Sequence, residues 1–166
     1  MVEIRSATTE DVSLIHQLAG QVWFLTYGPL QPKEKVEYLF ELMYTPASLK
    51  EQMEVKKHRF ILAKDETGYL GYASYEINAP ILSTAKIHKI YVMPNVQGKG
   101  VGKAMINWIA GRAIENNNRI LSLNVFRKNP ALQFYQKLGF AIMNEVDVYV
   151  GNGITMNDFV MEKKLT

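Results

Sequence analysis

The spacing of apolar residues along this chain changes several times, and each change marks an element. Val2-Glu3-Ile4-Arg5 alternates apolar with polar, the period of a short first strand. From Val12 the period becomes helical: Val12, Ile15, Leu18, Ala19, Val22 and Trp23 fall on one face. Thr8 or Thr9 is expected to cap this helix, with Glu10 and Asp11 in its first turn, and Tyr27-Gly28-Pro29 to stop it. A second helix is predicted from near Pro32 to about Tyr44. Thr45-Pro46, a cap followed by proline, opens a third that ends near Lys57.

Period two then returns. Residues 58–64 read as a strand, Asp65-Glu66-Thr67-Gly68 as a turn, and residues 69–78 as the antiparallel return. Ala79-Pro80 breaks the pattern. Lys86-Ile87-His88-Lys89-Ile90-Tyr91-Val92 follows, a β-branched and aromatic run closed before Pro94, which cannot donate to a ladder. Val101, Met105, Trp108, Ile109 and Ile114 predict the buried side of a helix that Asn116-Asn117-Asn118 ends. Residues 120–125 are a further strand. Asn129-Pro130 opens a short helix over 131–138 with Gly139 as its C′ residue. Residues 140–150 and 154–164 form a last hairpin around Gly151-Asn152-Gly153. Seven strands and about five helices predict an α/β (α+β) fold, a mixed sheet with helices on both faces.

Length and composition narrow the class. With no linker, repeat or low-complexity segment, residues 1–166 are expected to be one domain. No segment resembles a signal peptide and no apolar run is long enough to span a bilayer, so a soluble, cytoplasmic protein is expected. The absence of cysteine excludes disulfides, thiolate catalysis and cysteine-ligated zinc; no metal is expected. The net charge of +3 is unevenly spread. Residues 1–85 carry 8 Lys/Arg against 11 Asp/Glu, whereas residues 86–166 carry 11 against 5. The basic half would favour a polyanionic ligand, and the acidic half would suit a cationic one or be simply solvated. The basic residues form no stripe with interleaved aromatics, so nucleic acid is not an expected partner.

The basic half also holds the strongest local signal. Directly after the strand ending at Val92 come Gln97, Gly98, Lys99, Gly100, Val101 and Gly102, with Lys103 inside the next helix. Strand, glycine loop and helix bring bare backbone N–H groups and the positive end of a helix dipole to one place, which suits phosphate. A Walker loop fails, because the required first glycine is Gln97 or Met93 and the required hydroxyl is Ala104 or Gly100. The dinucleotide fingerprint fails too: its third glycine falls on Lys103, and residues 116–124 contain no acidic residue for a ribose. The loop instead fits Q/R-x-x-G-x-G/A, and so resembles the acetyl-CoA pyrophosphate loop of the GCN5-related N-acetyltransferase (GNAT) superfamily. One strand downstream, Asn129-Pro130-Ala131-Leu132-Gln133-Phe134-Tyr135-Gln136-Lys137-Leu138-Gly139-Phe140 is similar to that superfamily's N-x-x-A-x-x-F-Y-x-K-x-G-F segment. The likeness covers residues 1–165, with Met161-Glu162-Lys163-Lys164-Leu165 similar to the last strand.

The resemblance implies the GNAT fold: a mostly antiparallel seven-stranded sheet that splays between its central strands. It implies transfer of acetyl from acetyl-CoA, the cosubstrate, to a primary amine by direct attack. Ile90, Tyr91 and Val92 would then pair with the pantetheine arm as strands pair. The loop from Gln97 to Lys103 would hold the pyrophosphate, with Asn129, Phe134 and Lys137 as further cofactor contacts. Tyr135 matches the family's general acid, which protonates the departing thiolate; a packed core tyrosine is the plainer alternative. For the base, some relatives carry Glu where this chain has His88. His88 and, on the neighbouring strand, Glu76 are the two candidates.

Trp23, Thr26-Tyr27 and Tyr44…Leu49…Gln52 are similar to the bacterial polyamine (spermidine/spermine) acetyltransferase branch. Glu34, Glu37 and Glu41 fall on one helix face and, with Tyr27, would hold a polycation. A protein N-terminus or lysine, another small amine, and a non-catalytic acetyl-CoA sensor are the alternatives. A small-molecule amine is the expected partner, without nucleic acid or membrane; a homodimer is compatible with the sequence.

Overall fold

In the computed structural model, which describes residues 1–165, the alternating segments become strands β1 (Glu3–Ser6), β2 (Arg59–Asp65), β3 (Gly68–Glu76), β4 (Thr84–Val92), β5 (Ile120–Phe126), β6 (Ala141–Gly151) and β7 (Ile154–Lys164). The helices are α1 (Val12–Tyr27), α2 (Lys33–Tyr44), α3 (Pro46–Glu54), α4 (Val101–Glu115) and α5 (Leu132–Lys137), with short 3₁₀ turns before α1 and after β4. The sheet order is β1-β2-β3-β4-β5-β7-β6. The β1–β2, β2–β3, β5–β7 and β6–β7 ladders are antiparallel, and β4 with β5 is parallel. Among the described residues, no helix is long and apolar enough to cross a membrane.

The chain divides into two compact units. The first holds residues Met1–Glu76 and Lys89–Ile109; the second holds Ile77–His88 and the chain from Ala110 on. In the first unit, Thr8 caps the 3₁₀ turn through a capping box with Asp11, and α1 buries the six residues its spacing predicts. Thr45 caps α3 through a bond from Ser48 N, with Pro46 at the first helical position. Helices cover both faces here. Tyr72 of β3 meets the Tyr44 ring of α2 at 6.2 Å, whereas Tyr75, three residues on and so on the other face, meets Trp108 of α4 at 6.3 Å.

In the second unit, Leu121, Leu123, Val125, Tyr135, Phe140 and Met161 are buried. The parallel ladder runs from Thr84–Ile120 to Ile87–Leu123 and stops there, although β4 continues to Val92 and β5 to Phe126. The ladder stops short of both strand ends, as the expected splay requires.

Two local expectations change. In α4 the buried stripe is Val101, Met105, Ile106, Ile109 and Ala113, and Ile114 is 46% exposed. The i, i+4 repeat from Val101 passes through small Ala113 rather than the larger Ile114. The last short helix begins at Leu132 instead of residue 131, because Asn129 Oδ1 first accepts from Ala131 N at 2.9 Å and closes a turn ahead of it.

A close approach of β3 to β4 supplies a test of this packing. A Cβ on Gly71 would collide with Tyr91 O and lie 3.2 Å from Met105 Cε and 3.3 Å from Val92 Cα. Gly71→Ala is expected to lose about 1–3 kcal/mol or more, read as a lowered denaturation midpoint. An unchanged midpoint would show that β3 and β4 have room to separate.

Candidate active site

The glycine loop is built to expose backbone. Gly98 and Gly100 have φ of +84° and +83°, the left-handed region that a Cβ strains, and an added Cβ at either would meet no atom within 4 Å. Ala104 N donates to Gly100 O at 3.0 Å, so helical bonding starts at the loop's last glycine and the earlier N–H groups of α4 point forward. Lys99 and Lys103 are exposed, and no acidic residue stands in the first turn of α4. Gln97 Nε2 donates to Val92 O at 3.2 Å, tying the loop back to the end of β4. Open space, a helix N-terminus and two lysines fit a pyrophosphate.

In the second unit, Tyr135 is 7% exposed, its ring 5.3 Å from Phe134 and 5.9 Å from Phe140. Phe134 is 37% exposed and Lys137 lies on the surface, so α5 buries the tyrosine and presents its two expected cofactor neighbours outward. Gly139, at φ +96°, lets Phe140 N return to Tyr135 O at 3.1 Å and fixes the end of the helix.

The two base candidates lie on different strands. Glu76 ends β3 with Oε1 3.5 Å from His58 Nε2, so its carboxylate is engaged by a histidine that the sequence reading did not consider. His88 is half-buried on β4, one residue past the last β5 ladder pair. Glu34, Glu37 and Glu41 are exposed along α2, with Glu37 3.8 Å from Lys33, while Val36, Leu39, Phe40 and Tyr44 take the buried face. Tyr27 reaches Tyr91, hydroxyl to hydroxyl, at 3.2 Å.

That contact belongs to an aromatic cluster, mostly of residues singled out in the sequence, beside a lysine that was not. Tyr91 packs against Trp23, Tyr27, Tyr44 and Tyr72, at centroid distances of 6.2, 6.3, 6.5 and 5.6 Å. Two residues earlier on β4, Lys89 is only 7% exposed. Its Nζ donates to Gln52 Oε1 at 2.6 Å and lies 5.4 Å from the Tyr44 ring centroid and 5.8 Å from that of Phe60. Gln52 is itself fixed by donating to Met43 O at 2.7 Å and Ser48 Oγ at 3.0 Å. Burial, with the charge of Lys56 second, pushes the Lys89 amine down to about 7. The signal was present in the alternation: Lys89 shares its parity with Ile87 and Tyr91.

This burial sets a sign for the pH dependence of stability. Between about 7 and the ordinary 10.5 the unfolded lysine holds a proton that the folded one has released, so stability rises with pH across that window. The contribution is about 1.4 kcal/mol per pH unit where the two states differ fully. In urea unfolding between pH 7.5 and 9.5, Lys89→Met is expected to remove that slope. An equal slope in both proteins would place a solvated, ordinary ammonium at Lys89.

Comparison with known proteins agrees with the fold. The family model described as acetyltransferase (GNAT) domain matches residues 29–165. Over 170 residues the chain is 25% identical to the spermidine N(1)-acetyltransferase of Thermoplasma acidophilum, covering 98% of this chain and 97% of that one. It is 26% identical over 141 residues to the uncharacterized N-acetyltransferase YuaI of Bacillus subtilis, covering 82% and 78%. The crystal structure of the PaiA N-acetyltransferase of T. acidophilum, in complex with coenzyme A, has the same fold, with a TM-score of 0.82 at 24% identity over 99% of both chains. The chain belongs to the acetyltransferase (GNAT) family and is an acetyl-CoA-dependent N-acetyltransferase.

Proposed function

We propose that this enzyme acetylates a primary amine of a small polycation, a polyamine such as spermidine or spermine, by direct attack on acetyl-CoA. The observation that supports the donor side is the end of the β4–β5 ladder at Ile87, with β4 running on to a glycine loop shaped for pyrophosphate. Backbone at Ile90, Tyr91 and Val92 pairs with the extended pantetheine arm. Main-chain donors from Gln97 to Gly102 hold the pyrophosphate, with Lys99 and Lys103 adding charge. Asn129, Phe134 and Lys137 complete the donor contacts.

Attack needs a neutral amine, and a free alkylammonium has a pKa near roughly 10.4, so the acceptor gives up a proton first. The departing thiolate takes one, and the Tyr135 phenol supplies it. His88 on β4 is the first candidate for the base and Glu76, paired with His58, the second. The acceptor class is supported by the exposed acidic row Glu34, Glu37 and Glu41, by Tyr27 beside Tyr91, and by full-length similarity to a spermidine acetyltransferase.

An amine library with acetyl-CoA, followed by thiol release, is expected to rank spermidine and spermine first; preference for a peptide N-terminus or an amino acid would overturn the polyamine assignment. Gly100→Asp, which sets a carboxylate and a Cβ over the anion site, is expected to abolish most CoA affinity in calorimetry while the protein stays folded. Unchanged affinity would remove the loop from the cofactor site. Tyr135→Phe is expected to lower kcat by roughly 10²–10⁴-fold with little change in CoA affinity. A kcat close to wild type would return Tyr135 to a packing role, and an acetyl-CoA sensor predicts no turnover in either protein.

A further inference from the structure

The face of β4 that carries Tyr91 holds more polar chemistry than packing requires. Lys89 is enclosed there with its amine on Gln52, and three hydroxyls of the surrounding elements, Tyr44, Tyr72 and Ser74, are buried without a hydrogen bond of good geometry inside the protein. Ser74 lies two residues beyond Tyr72 and so on the same face of β3. Lys89 and Tyr91 stand about 7 Å apart by the strand repeat. The hydroxyl pair Tyr27–Tyr91 is half-buried and connects this interior to the surface.

A buried ammonium needs three acceptors, and Gln52 Oε1 is the one its Nζ donates to among the described residues. A neutral amine suits the place better: it donates to Gln52 and offers a lone pair to a neighbouring hydroxyl. Neutral lysine in an apolar enclosure is a base of useful strength at neutral pH.

We propose that Lys89 is the residue to which the acceptor's ammonium loses its proton, passed through the Tyr91–Tyr27 hydroxyls, with Gln52 holding the amine in place. The inference rests on the acetyl transfer proposed above and moves the proton acceptor from His88 to Lys89. The step balances: the N–H bond of the acceptor ammonium breaks, an N–H bond forms on Lys89, and the acceptor is left as a neutral nucleophile. After the C–N bond forms and the C–S bond breaks, Lys89 returns its extra proton to solvent. No oxidant or further reactant is needed. Since Lys89 acts through the tyrosines, it is a positioning residue for proton transfer rather than a group on the substrate.

The charged and titratable groups around it are few. Lys56 follows α3 and opposes the charged form of Lys89. The Tyr44 ring of α2 lies 5.4 Å from its Nζ, and Tyr72 of β3 and Tyr91 of β4 pack on Tyr44; burial holds the Tyr44 and Tyr72 phenols well above their ordinary range, so they stay neutral wherever Lys89 titrates. The His58–Glu76 pair stands at the edge of the same region, two residues from Phe60 and Ser74.

The test is the pH dependence of kcat/KM for spermidine in the full chain, with CoA affinity measured alongside. Wild type is expected to show an acid limb near neutral pH. Lys89→Met, similar in volume, is expected to lose that limb and to drop kcat by about 10²-fold or more, with CoA affinity retained. Gln52→Glu sets a carboxylate against the amine and is expected to move the limb up by more than one pH unit, a shift that lost packing alone would not give. It also serves if Lys89→Met fails to fold. His88→Gln is expected to leave the limb in place. A limb that survives in Lys89→Met, stays put in Gln52→Glu, or disappears only in His88→Gln overturns the inference while acetyl transfer stands. A wild type that binds CoA but acetylates no amine overturns the proposed acetyl transfer, and this inference with it.

Discussion

Backbone hydrogen bonding along β4 is the constraint on which the rest of the structure depends. Buried N–H and C=O groups need partners almost without exception. On the β3 side β4 is firmly held: Met93 N donates to Leu70 O at 2.8 Å, and Gly71 lets the two backbones come close at Tyr91. On the β5 side the ladder ends at Ile87 and Leu123 while both strands run on. A strand fixed along one edge and released along the other is a template for an extended ligand. The amide-bearing pantetheine arm of acetyl-CoA has the donors and acceptors such an edge calls for.

What happens past Val92 follows from the same strand. Pro94 cannot extend the ladder, so the chain turns through a 3₁₀ segment and two left-handed glycines into α4. The helix therefore starts a few residues from the end of the released edge, and its first N–H groups lie open. Lys99 and Lys103 add mobile positive charge whose reach at physiological salt is about 8 Å, enough to matter at the loop and little farther. Donor recognition of this kind uses backbone rather than side chains, so few residue identities beyond the glycines are needed to specify it.

This explains which features were legible in the sequence. The six-residue face of α1, the Thr45-Pro46 start of α3 and the Gly151-Asn152-Gly153 hairpin were readable because each is decided locally, by periodicity, capping or turn chemistry. The stripe of α4 was misread at its end, where Ala113 is buried and Ile114 is not; size misled where position decided. The start of α5 was misplaced because Asn129 can cap a helix or close a turn, and only the fold chooses. The early end of the β4–β5 ladder has no residue pattern of its own and was legible only through likeness to a family. Lys89 was missed because a lysine in a strand reads as solvent-facing. Its apolar neighbours in phase, Ile87 and Tyr91, were the contrary sign.

The polar groups on this face divide into two kinds, and the division bears on function. Trp23 Nε1 donates to Val36 O at 2.9 Å, and Gln52 Nε2 donates to Met43 O; these donors are satisfied and pin helices together. The hydroxyls of Tyr44, Tyr72 and Ser74 are equally buried and lack such bonds. Each unmet group costs about 1–3 kcal/mol, and phenylalanine or alanine would fill the same space without that cost. A core selected for stability alone has no use for such hydroxyls on the face that also encloses Lys89. Departures from local consistency concentrate where a protein does chemistry, and here they gather on the strand that the donor site also uses. The packing of α1, α2 and α3 against β4 is therefore more than support for the sheet. It also holds a desolvated amine and several neutral hydroxyls on one face of the strand whose backbone is proposed to pair with the pantetheine arm.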